Sequence, residues 1–165
     1  MTAGVLAPAG PGPRLVWRAF DDLSARELYG LLRLRQDVFV VEQACPFPEI
    51  DGRDPVALHL LAVADGRPDL AGCLRVLPPG ASAAGAAEAA IGRVATAAWA
   101  RSTGLGRALM QDALSEIARR HGPVPVTVGA QTSVERFYAG LGFIRTGPDY
   151  DEDGIAHCRM VRGGC

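Results

Sequence analysis

Six residues, Arg101, Ser102, Thr103, Gly104, Leu105 and Gly106, stand between a short apolar run and a long stretch of helical periodicity. Strand, glycine-containing turn and amphipathic helix in that order confine the chain to an α/β layer in which the helix packs on its sheet. The turn also has a chemistry of its own. First-turn amides of a helix lack intrahelical partners, the helix dipole places partial positive charge there, and glycine lets a ligand approach the main chain. Such a turn suits a phosphate, and Arg101 adds a fixed positive charge beside it.

The neighbouring residues decide which phosphate is meant. A nucleoside-triphosphatase loop ends in Gly-Lys-Ser/Thr, and this chain contains no lysine at all. A dinucleotide fingerprint requires a third glycine three positions after Gly106, where Leu109 stands. A pattern Arg-x-x-Gly-x-Gly that serves neither ligand remains.

The 165 residues suit one domain, and a chain of this length buries about 70% of its unfolded surface. The formal net charge is −1, and the 17 basic residues, all arginine, are scattered, which argues against a nucleic-acid partner. Cys45, Cys73, Cys158 and Cys165 form no Cys-x-x-Cys pair and lie near no histidine at ligand spacing, so no metal is expected. Free thiols fit a reducing compartment. Residues 1–13, rich in Ala, Gly and Pro, read as a disordered leader rather than a signal peptide, and residues 14–163 as the folded domain. No apolar run approaches the roughly 20 residues needed to span a bilayer, so a cytoplasmic protein without a membrane partner is expected.

Along the chain, residues 15–20 predict a strand. Ser24 and Glu27 form a capping box that opens a helix ending near Val38 or Phe39, with Leu28, Leu31, Leu32, Leu34 and Val38 on its apolar face. Residues 40–55 are rich in acids and prolines and predict a shaped loop. Residues 57–64 and 70–77 flank a turn-rich Asp-Gly-Arg-Pro segment and predict an antiparallel hairpin. Residues 81–90 read as a surface loop, 91–96 as a strand, 105–120 as a helix, 124–130 as a buried strand, and 133–140 as a short helix ended by Gly142, with Phe137 and Leu141 inward. Residues 143–146 and 156–161 supply the last strands. The fold class is therefore mixed α/β, with a partly parallel central sheet flanked by helices.

A second motif follows at the distance that one helix and one strand would occupy. Residues 137–143 read Phe-Tyr-x-x-x-Gly-Phe. With the Arg-x-x-Gly-x-Gly turn before it, the chain from residue 15 to residue 162 resembles a GNAT (Gcn5-related) N-acetyltransferase domain. The segments LRQDVFVVEQACPFPEIDGRDPVALHL (34–60), IGRVAT (91–96) and DEDGIAHCRM (151–160) are similar to its ElaA-like branch.

The resemblance implies acetyl-CoA as cosubstrate, lying where the strand with Val94, Ala95 and Thr96 splays from the strand with Gly129 and Ala130. It implies that main-chain groups of the first strand pair with the pantetheine amides. The pyrophosphate would sit on the turn formed by Arg101, Ser102, Thr103, Gly104, Leu105, Gly106 and Arg107. Gln131 stands where some relatives carry Asn, a residue type this chain lacks. Tyr138 is the implied general acid: a phenol with a reference pKa near 10 stays protonated at pH 7 and protonates the departing thiolate. A main-chain N–H near Ala95 would polarise the thioester carbonyl.

An alkylamine is mostly ammonium at neutral pH, so a base or a water chain must take its proton. Many relatives place a Glu on the strand before the turn, whereas 91–96 holds no acid; Glu42, His59 and His157 are the candidates, in that order, beside water. Each has a blander reading. Glu42, Glu49, Asp51 and Asp54 suit a solvated loop as well as an acceptor groove, and His59 suits a buried structural histidine. Arg75 and Arg93, on strands, need carboxylate partners or an anionic ligand. Tyr138 suits a core tyrosine. The expected activity is transfer from acetyl-CoA to a primary amine within a ternary complex; a non-catalytic acyl-CoA-binding module is the alternative, and an NAD enzyme is disfavoured by Leu109. An exposed sheet edge is where a homodimer would form.

Overall fold

Seven strands form one sheet in the order β1-β2-β3-β4-β5-β7-β6, comprising β1 (Arg14–Ala19), β2 (Leu58–Val63), β3 (Gly72–Leu77), β4 (Ala89–Thr96), β5 (Val126–Gln131), β6 (Ile144–Glu152) and β7 (Ile155–Arg162). The computed structural model describes residues 12–81 and 87–164. Most of the expected leader, the middle of the 81–90 segment and Cys165 lie outside the described residues. Every neighbouring pair is antiparallel except β4–β5, which is parallel, as a partly parallel sheet requires.

Helices α1 (Ala25–Arg35) and α2 (Leu105–His121) cover opposite faces, and the strand residues sort by period two. Leu60, Leu74 and Ile91 pack with Leu109, Met110, Ala113 and Ile117 of α2. The intervening Leu61, Cys73 and Ala95 pack with Leu31, Leu34 and Val38 on the other face. β3, covered on both sides, is buried at every residue.

The predicted capping box is present: Ser24 Oγ accepts from the Glu27 amide at 3.2 Å, and Glu27 Oε2 accepts from the Ser24 amide at 2.9 Å. The α-helix ends at Arg35, short of the expected Val38 or Phe39. Residues Gln36–Glu42 continue as a wider π-helical turn, with the Gln43 amide donating to the Val38 carbonyl and the Cys45 amide to that of Val40. A run of Val38, Phe39, Val40 and Val41 crowds a tight α turn, and the wider turn relieves it. Val38 stays in the core while Phe39 and Glu42 reach the neighbouring cavity.

The expected 133–140 helix is shorter, a 3₁₀ turn at Thr132–Val134 followed by α3 (Glu135–Ala139). Gly142, at φ +87°, swings the chain toward β6. β6 and β7 extend beyond the predicted strands into a long hairpin; β6 lies at the sheet edge and is exposed at every residue, so no apolar pattern marks its outer half.

Candidate active site

The parallel ladder between β4 and β5 is brief. Only Ala89–Val126 and Ala90–Thr127 are in register, after which the strands part. The gap opens into a cavity of about 450 Å³, with Val94, Ala95 and Thr96 on one wall and Gly129 and Gln131 on the other. Gly129 leaves room for a neighbour there: a Cβ would lie 2.9 Å from Tyr150 Oη and would push that hydroxyl aside.

β4 carries a bulge at this gap. Register shifts between the Cys73–Ala95 and Arg75–Gly92 pairs, so Arg93 and Val94 together face the single residue Leu74. Arg93 takes φ +54°, a left-handed conformation that L-residues adopt at a cost. The Arg93 carbonyl accepts from Cys73 Sγ at 3.7 Å, and burial pushes that thiol up to about 12, so it keeps its proton.

Beyond β4, a 3₁₀ turn at Ala98–Ala100 leads into Arg101, and the chain reaches α2 through Ser102 at φ +61° and Gly104 at φ +84°. Thr103 Oγ1 fastens the turn by donating to the Ala100 carbonyl at 2.8 Å. Among the described residues, no main-chain carbonyl engages the amides of Ser102, Thr103, Gly104, Leu105, Gly106 or Arg107. Leu105 sinks its side chain into the core and so fixes the position of the turn. The two glycines differ in origin. Gly104 is demanded by its dihedral angle, whereas a Cβ on Gly106 would meet only the Phe137 ring at an ordinary 3.8 Å. The fold has room for a methyl at Gly106, so packing does not explain that glycine.

Arg101 is committed elsewhere than its place beside the turn suggests. Its guanidinium forks onto both oxygens of Glu42 at 2.7 Å and also donates to the Thr96 carbonyl at 3.2 and 3.3 Å. The Arg101 hydrogen bond, opposed by slight burial and joined by its charge, holds the Glu42 carboxyl below the usual range. Beside this pair, Gln131 Nε2 donates to Gln43 Oε1 at 3.0 Å, a second tie between the π-helical segment and the far wall.

Tyr138 lines the same cavity and is 8% exposed. Edge-to-face contacts with Phe137 (5.1 Å) and Phe143 (5.9 Å) fix its ring, and burial pushes the phenol up to about 12. Of the motif's first two residues, Tyr138 is buried and Phe137 half-buried, and Phe137 packs against the core as the sequence predicts. His157 also lines the cavity, stacked on Tyr150 at 5.9 Å, with Nδ1 at 2.8 Å from the Ile155 carbonyl. The cavity thus brings together Val94, Ala95, Thr96, Arg101, Gln131, Tyr138, Glu42 and His157, with the open amides of the α2 N-terminus following β4.

Two expectations need correction. His59 does not reach the cavity. It is fully buried with Nε2 3.1 Å from the Asp54 carbonyl, and burial lowers its pKa, so it is a neutral structural residue. Nor do Glu49, Asp51 and Asp54 border the cavity. They turn inward onto three arginines, because strand arginines this deep require matched carboxylates. Arg75 pairs with both oxygens of Asp51 at 2.7 and 2.8 Å and with Asp54 at 3.0 Å; Arg93 pairs with Glu49 at 2.8 Å.

The third arginine, Arg35, was missed by sequence reasoning. It is wholly buried, with Nε 2.6 Å from Glu49 and Nη1 2.8 Å from Asp54. Its signal was an arginine on the apolar stripe between Leu31 and Val38, followed by an acid-rich loop. Among the described residues, no group of three or more His, Cys, Asp or Glu could hold a metal, and no helix is long and apolar enough to cross a membrane.

A mixed sheet split at its parallel pair, with a bulge at the split and open amides at the following helix, defines an acyl-CoA-binding fold. The chain belongs to the GNAT acetyltransferase family, in its ElaA-like branch, and matches the acetyltransferase (GNAT) domain over residues 59–162. It is 36% identical over 142 residues to the protein ElaA of Escherichia coli, covering 86% of this chain and 91% of that one. The ElaA crystal structure superposes with a TM-score of 0.80, over 90% of this chain and 99% of ElaA. A UPF0039 protein of Mycobacterium tuberculosis is 42% identical over 154 residues, 92% of each chain. An acyl-CoA N-acyltransferase from Pseudomonas aeruginosa is 39% identical with a TM-score of 0.84, covering 91% of this chain and 99% of that one. Acyl transfer from a CoA thioester is the chemistry of this family.

Proposed function

We propose that the chain transfers an acetyl group from acetyl-CoA to a primary amine within a ternary complex. The observation that carries the reading is the continuity of one cavity from the split strands to the buried Tyr138 phenol; its lining reaches Arg101, next to the turn at Ser102 to Arg107 whose amides no main-chain carbonyl engages. Pyrophosphate sits on those amides, and pantetheine pairs with the unpaired edge of β4. The amine nitrogen attacks the thioester carbon, a C–N bond forms as the C–S bond breaks, and Tyr138 gives its proton to the leaving sulfur. Solvent then restores the phenol's proton.

Charge favours a cationic acceptor. Of the two arginines lining the cavity, Arg93 is matched by Glu49 and Asp51 and Arg101 by Glu42. Neither is left over for a carboxylate substrate. Glu152 and Asp153, at the β6–β7 turn, line the same cavity with no arginine partner among the described residues. An ammonium group is what two unmatched carboxylates attract.

The acceptor's proton leaves through water. A carboxyl held low by a forked arginine is a weak base at neutral pH, so Glu42→Gln is expected to cut kcat by less than about tenfold, against the larger loss of a true base. A fall of about a hundredfold would give the role to Glu42. The absence of an acid on β4 and this pairing of Glu42 also favour a second reading, an acyl-CoA-binding module without turnover.

One experiment separates the two. The pure protein is incubated with acetyl-CoA and a panel of mono- and diamines, free thiol is followed, and acetyl-CoA affinity is measured by calorimetry. Thiol release that requires an amine supports transfer. Tight binding without release supports the module, and no binding at all removes both.

A further inference from the structure

We infer that Arg93 is a positioning residue: its side chain, clamped by the carboxylates of the 43–57 loop, holds the β4 bulge in the left-handed conformation that aims the strand's main chain at the acyl carbonyl. The inference rests on the transfer reading above. Arg93 takes φ +54° at the one place where β4 leaves its ladder with β3. An L-residue adopts that conformation only at a cost, so something must hold it.

The holder is visible on every side. Arg93 Nε donates to Glu49 Oε1 at 2.8 Å, and Nη2 donates to the Glu49 carbonyl at 3.1 Å and to Asp51 at 3.3 Å. Its guanidinium lies 5.6 Å from the centre of the Phe47 ring. Glu49 is itself gripped by the fully buried Arg35 of α1, so the clamp is anchored in the core rather than in a free loop. From behind, Cys73 donates its thiol hydrogen to the Arg93 carbonyl. A side chain this well held on a backbone this unfavourable fixes the direction of the neighbouring main-chain groups, and Val94 and Ala95 are those that line the cavity.

Glycine adopts positive φ without cost, so it separates the backbone's need from the side chain's. Arg93→Ala loses the clamp and keeps the strain; Arg93→Gly loses both. With positioning, kcat falls at least about tenfold in Arg93→Ala, while Arg93→Gly stays within about threefold of the parent and Arg93→Lys falls between. KM for acetyl-CoA stays within about threefold throughout, because the pyrophosphate is held at α2. In melting experiments Arg93→Gly unfolds roughly 3 °C or more above Arg93→Ala. Equal losses of kcat in the glycine and alanine variants, a change confined to KM, or alanine melting as high as glycine would each overturn the role. The melting comparison reads the bulge whether or not any amine is turned over, so a failed transfer reading and a failed positioning role give different results.

Discussion

Replacing Tyr138 with phenylalanine is expected to lower kcat by about 10²- to 10³-fold while KM for acetyl-CoA and the melting temperature barely move. The change removes one oxygen. The ring stays wedged edge-to-face between Phe137 and Phe143, contacts that belong to the core rather than to the chemistry. What disappears is the proton donor for the leaving sulfur. Burial raises the phenol to about 12, so the acid form required for catalysis persists through neutral and moderately alkaline pH. kcat should therefore climb as the acceptor amine sheds its proton, with no downturn from this tyrosine below about pH 11. The stability sign agrees. A phenol whose folded value lies above its unfolded value near 10 contributes fully below pH 10, and that contribution is lost as pH rises toward 12. Steady-state kinetics of parent and variant from pH 6 to 11 test the rate statements, and melting curves from pH 8 to 11 test the stability one. An unchanged kcat in Tyr138→Phe would hand the proton transfer to water.

The elements legible in the sequence were those with local causes. The Ser24–Glu27 capping box, the strand periodicity around the Asp65–Gly66 turn, and the glycine pattern of 101–106 each act over a few residues, and each stands where the sequence placed it. The split between β4 and β5 came from family resemblance, since nothing in residues 89–96 alone says where a parallel partner leaves. Non-local causes were the ones misread. A shaped acidic loop was foreseen at 40–55, but Glu49, Asp51 and Asp54 pair with Arg35, Arg75 and Arg93, which reach them from three different elements. Likewise Arg101 was read beside its nearest neighbours in sequence. Its partner, Glu42, lies on a π-helical turn that only the crowding of four consecutive bulky residues announces. Spacing shows which residues share a face; it does not show which distant charge reaches them.

The largest loss of stability is expected from Arg35→Leu. Arg35 is wholly buried, and leucine would satisfy the apolar stripe of α1 while removing a charge shared by Glu49 and Asp54. Breaking a buried ion pair from one side costs about 3–5 kcal/mol, because the remaining charge is stranded. Here Arg75 still contacts Asp54 and Arg93 still contacts Glu49, which places the cost near the low end, about 3 kcal/mol. For a chain of this size that is a fall of roughly 6–12 °C in melting temperature. The pH dependence carries the diagnosis. Burial works against the charge of Asp54, yet the hydrogen bonds and charges of Arg35 and then Arg75 outweigh it and hold the carboxyl below its usual range. A carboxyl lowered on folding stabilises above its unfolded value near 4, and that contribution is lost as pH falls through the folded value. In the variant the stranded carboxyls instead gain from protonation. The gap between parent and variant should therefore be widest at pH 7 and narrow below about pH 4. Melting curves at pH 7, 5 and 3.5 measure it. A loss under about 2 °C at pH 7, or a gap that stays constant with pH, would mean that the three arginines merely fill space between α1 and the sheet.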